Sequence, residues 1–119
     1  MKLSIRQSYL AMFELLDGFY QDTKDDCLGS LLGGFNPSLF IDSNSADSAA
    51  WIDWMNSVKK ITVEELLTSD EALCTTRAFI DFHQKEFGFD LKWLIEELNS
   101  MSANSEKWLK SVKKAVEES

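Results

Sequence analysis

A chain of 119 residues that is 45% apolar and 27% charged can bury one real core without metal or disulfide help. Five Gly and a single Pro are too few for the many turns of an all-β fold, while eight Phe, four Trp and two Tyr supply large apolar side chains for helix packing. The net charge of −8 works against a phosphate backbone as ligand and in favour of a basic protein.

Ser4 with Gln7 spells a capping box. From Ile5 the apolar positions Tyr9, Met12, Phe13, Leu16, Phe19 and Tyr20 recur every three or four residues, which predicts an amphipathic helix. Arg6, Gln7, Ser8, Glu14 and Asp17 interrupt every window long enough for a signal or membrane-spanning core, and the two cysteines, Cys27 and Cys74, form no disulfide or metal pattern. A cytoplasmic protein with reduced thiols is expected.

Asp26, Leu28, Leu31 and Leu32 predict a second helix, closed by the breakers Gly33, Gly34, Asn36 and Pro37. A third carries Trp54, Met55 and Val58 in the phrase WMNSVKK. The pattern then starts again. Thr68 with Glu71 repeats the capping box at an offset of 64, and Leu73, Thr76, Phe79, Ile80, His83 and Phe87 repeat the first stripe. Asp90, Leu91, Leu94, Ile95 and Leu98 follow as a slightly shorter second helix, and Trp108, Leu109 and Val112 close the series in WLKSVKK, which shares five of seven residues with its earlier counterpart.

Any two amphipathic helices look somewhat alike, but preserved order across three elements points to duplication. The expected architecture is all-α: one compact helical domain over 1–119, built from two pseudo-symmetric three-helix units at about 4–60 and 68–117. Each unit would serve as the wall that buries the other's apolar face, with Trp54 and Trp108 in the shared core and the paired lysines solvated.

The halves differ most in GGFNPSLFIDSNSADSAA, a connection about ten residues longer than its counterpart near NSMSANSEK. Its Phe35, Leu39, Phe40 and Ile41 either cap the core or, with Asp42 and Asp47, form a functional surface.

Catalytic chemistry finds little support. His83 is the sole histidine and lies on a buried stripe, so a hydrogen-bonded core or edge histidine is expected. Neither cysteine has a sequence-local partner that would activate it, so both are expected as buried, inert thiols. Asp42, Asn44 and Asp53 match three positions of a calcium loop, but Ala46 and Asp47 stand where that loop needs a ligand and a glycine. Gly29, Gly33 and Gly34 lack the Lys and Ser/Thr of a phosphate loop. The expectation is no enzyme, no metal and no cofactor.

The acids are concentrated. Between residues 25 and 71 stand nine carboxylates against Lys59 and Lys60, a net −7 of the chain's −8. A one-signed patch accelerates association with a complementary partner by orders of magnitude.

Residues 9–60, through D-x-L-G-x-L-L-G at 26–33 and A-A-W-x-D-W at 49–54, resemble the immunity proteins of bacterial contact-dependent growth inhibition systems. The second half departs from the motif, with Lys92 and Trp93 near the position of Gly29. The resemblance implies a cytoplasmic protein that binds the C-terminal domain of one cognate toxin, a basic nuclease by charge complementarity, as a 1:1 complex that occludes the active site. Asp25, Asp26, Asp42, Asp47 and Asp53 are the expected contact carboxylates, with Phe40 and Trp51 as apolar anchors. Neither direct nucleic-acid binding nor a membrane role is expected. Two other readings stay open: a helical adaptor for another basic protein, and an enzyme using a carboxylate pair between the units.

Overall fold

Both long helices begin in the same way. In the computed structural model, which describes residues 2–35 and 49–118, α1 spans Ile5–Thr23 behind the strand β1, Lys2–Ser4. Gln7 N–H donates to Ser4 Oγ (3.0 Å) and Ser4 N–H to Gln7 Oε1 (2.9 Å), so two of the helix's orphan donors are satisfied reciprocally. Helix α2 (Asp26–Phe35) and helix α3 (Ala49–Ile61) follow, then strand β2 (Leu66–Thr68) and α4 (Ser69–Phe87). Thr68 and Glu71 cap α4 at 3.0 and 2.8 Å. Helices α5 (Lys92–Ser100) and α6 (Glu106–Glu118) complete an all-α domain.

The matched ends extend to the C-termini. α1 stops where Lys24 turns left-handed at φ 53°, and α4 stops at Gly88 with φ 71°. Gly88 adopts that conformation without strain, whereas Lys24 pays about 1 kcal/mol for its Cβ.

The two strands are not evident in the amphipathic pattern. A capping residue needs extended backbone, and Ser4 (ψ 165°) and Thr68 (ψ 162°) supply it. The extended residues leading into the two caps pair as an antiparallel ribbon, with Leu3 opposite Leu67 and both fully buried. Three residues are too short to show a strand's alternation.

The third helices cross over. α6 packs most extensively along α1, and α3 along α4, so each covers the first helix of the other half of the chain. Trp54 and Trp108 are fully buried at these seams, as expected. Trp54 Nε1–H donates to Ser8 Oγ on α1 (3.1 Å) while its ring meets Phe79 of α4 edge-on at 5.2 Å. Trp108 on α6 donates to Ser69 Oγ at the start of α4 (2.9 Å). A single apolar cluster draws on every one of these elements, and the Cα radius of gyration of 13.1 Å is near the roughly 13.5 Å of a globular chain this long.

Three local expectations need correction. Gly33 and Gly34 do not break α2, which runs through them to Phe35. Phe87 lies on the stripe of α4 but is 59% exposed, because α4 outruns the core at its last turn. Cys27 and Cys74 are half-buried, not fully enclosed.

Candidate functional site

The end of α2, the start of α3 and the end of α4 converge. Tyr9, buried in α1, donates its hydroxyl to the carbonyl of Phe35 at 2.6 Å and so fixes the last turn of α2. Burial of this phenol pushes its pKa up. Phe35 itself is buried, so the core-capping reading holds for it. Its ring lies 4.8 Å from Phe79 and 5.0 Å from His83, centroid to centroid.

Beside it opens a hollow of about 280 Å³, lined mainly by Gly34, Phe35, Ala50, Asp53, His83 and Phe87, with Phe89 at its edge. His83 is 4% exposed. Its Nδ1 is 2.8 Å from the Phe79 carbonyl oxygen one turn back, and its Nε2 is 3.8 Å from Asp53 Oδ2. The expectation of a hydrogen-bonded edge histidine is met, and the histidine also borders a cleft. Phe79, Phe82 and Phe87 surround its ring at 4.5, 5.3 and 5.3 Å.

A second hollow of about 460 Å³ adjoins the first through Ser30, and its lining includes Asp17, Tyr20, Asp26, Gly29 and Gly33. At Gly29 a Cβ would stand 2.8 Å from the Tyr20 ring, so a larger residue there must displace that ring. A Cβ at Gly33 or Gly34 would meet nothing within 4 Å. The outer face of α2 thus lacks large side chains at Gly33 and Gly34 and is bordered by carboxylates at both ends.

The seven expected contact residues separate into distinct situations. Asp53 enters the first hollow and Asp26 the second. Asp25 stands just before α2 and its Oδ1 accepts the Leu28 N–H at 2.9 Å, which is helix capping. Trp51 is half-buried with its ring 5.6 Å from Tyr9, so much of its surface is already used. Phe40, Asp42 and Asp47 lie outside the described residues. Sequence reasoning missed Phe87 and Phe89 as exposed or edge aromatics. Their signal was the Gly88 between them, which ends α4 and releases its last side chains from the core.

Lysines pair with Asp22, Asp81, Glu14, Glu106 and Glu118, all outside residues 25–71. Among the described residues, no carboxylate of the 25–71 stretch joins an ion pair with Lys or Arg. Also among the described residues, no group of three or more His, Cys, Asp or Glu is placed to hold a metal, and no helix is long and apolar enough to cross a membrane.

No protein-family model, curated protein or solved structure matches the chain.

Proposed function

We propose that the chain is an immunity-type inhibitor, which binds the basic toxin domain of a contact-dependent growth inhibition system and neutralises it by stoichiometric occlusion, without turnover and in the cytoplasm. The observation that carries this reading is the set of carboxylates without a lysine or arginine partner among the described residues, Asp26 and Asp53 in particular, around an apolar cleft with Phe87 at its rim. Charge of one sign gives fast encounter, while the aromatic rim and the bare face of α2 offer the desolvated contact that tight binding needs. The resemblance of residues 9–60 supplies the class of partner. Asp42, Asp47 and Phe40 belong to the proposed contact by their place in the sequence, and Trp51 remains a candidate apolar anchor through the part of its ring that Tyr9 leaves uncovered.

Co-expression tests the reading. The protein should rescue growth from one cognate toxin domain, encoded beside it, and from no unrelated one. Asp26→Lys combined with Asp53→Lys should slow association by about tenfold or more at low salt and flatten its salt dependence. Rescue from no toxin, together with salt-sensitive binding to a different basic protein, would replace this reading with that of an adaptor.

A further inference from the structure

His83 is committed on one side and open on the other. The Phe79 carbonyl can only accept, so in the neutral ring the proton sits on Nδ1 and donates to it at 2.8 Å. Nε2 then presents a lone pair to Asp53 Oδ2 at 3.8 Å. Two acceptors facing each other repel unless a donor is shared between them. The His83 side chain is 5% exposed and that of Asp53 22%, so a donor reaching them leaves most of the solvent behind.

The rest of the hollow restricts what that donor can be. Phe35, Phe87 and Phe89 offer aromatic surface, and Gly34, Ala49 and Ala50 leave depth without competing side chains. A volume of about 280 Å³ is at the small end for ligand sites, enough for one long side chain. Among the described residues, no Lys or Arg lines the hollow. A planar cation with several N–H groups satisfies both acceptors and stacks on the rings.

We propose that this hollow is a guanidinium site, which takes one arginine side chain from the partner, with its N–H groups shared between Asp53 Oδ2 and His83 Nε2 and its plane against Phe87. The proposal rests on the binding reading above and names the chemistry of its deepest contact. An ammonium is the poorer fit, being more strongly hydrated and lacking a flat face.

The single histidine makes the test direct. The ¹⁵N resonances of His83 are followed in the whole protein while Nα-acetyl-arginine amide is added, with the citrulline analogue as its uncharged match. The free protein should show the Nδ1–H tautomer. The arginine compound should shift Nε2 saturably with a Kd on the order of millimolar, and citrulline should not. Asp53→Asn should weaken binding about tenfold, and Phe87→Ala, at an exposed position, should weaken it several-fold with the fold unchanged. A flat titration, or equal binding of citrulline or of the lysine analogue, overturns the assignment. Guanidinium binding by a protein that rescues no toxin would leave this site standing and remove only the toxin reading; rescue with an unresponsive His83 would do the reverse.

Discussion

Tyr9→Phe removes one oxygen from the bottom of the core and nothing else. Tyr9 is 1% exposed and its hydroxyl donates at 2.6 Å to Phe35, whose carbonyl is among those a helix end leaves without an intrahelical partner. Losing a donor to a buried carbonyl costs about 1–2 kcal/mol, which for a domain of this size lowers Tm by roughly 4–10 °C. The pH dependence makes the prediction sharper. Burial holds the folded phenol above its ordinary value of 10.0, so above that pH the unfolded chain releases the proton while the folded chain keeps it. The unfolded state then binds fewer protons, and stability falls as pH rises, by about 1.4 kcal/mol per unit. Phenylalanine has no such proton. Urea melts of both proteins from about pH 7 to 11 should therefore show wild type ahead at neutral pH, a gap that narrows above pH 10, and curves that meet near pH 11. Lys114, held above its usual value by Glu14, also loses stability at alkaline pH, but equally in both proteins. A gap that is zero at neutral pH, or constant throughout, would refute the buried hydrogen bond to Phe35.

The α2 glycines should behave differently from one another. Gly33→Ala and Gly34→Ala, with open space at each Cβ, should each stabilise by about 0.5–1 kcal/mol in denaturant melts. Gly29→Ala should forfeit that gain against the Tyr20 ring. Asp25→Ala should cost about 1 kcal/mol of stability through the lost cap, whereas Asp26→Ala should leave the melt within about 0.5 kcal/mol and act on the association rate alone. Equal melts for the two aspartate variants would remove the structural distinction between them.

That distinction shows where sequence reading succeeds and where it stops. The capping boxes at Ser4 and Thr68 were legible because a cap needs only residues three apart. The buried Trp54 and Trp108 were legible because helical periodicity projects directly onto burial. Asp25 and Asp26, by contrast, look alike in a string of letters. Only the turn between α1 and α2 aims one at the Leu28 amide and leaves the other in the open hollow. The cleft is less legible still, since its floor joins Asp53 to His83 across 30 positions that share no pattern. Phe87 followed the stripe correctly and was exposed anyway, because burial depends on what lies opposite and α4 extends past its neighbours.

The amino-acid sequence by itself determined six helical segments, the capping boxes of the two long ones, the apolar face of each and the concentration of acid between residues 25 and 71, because all of these depend on spacing along one chain. Tertiary structure alone decided that the third helices exchange partners, that Leu3 and Leu67 zip the halves together, and that an aspartate, a histidine and an exposed phenylalanine meet in one cleft. Those outcomes depend on which apolar faces best cover one another. Local periodicity leaves that choice open, and packing makes it.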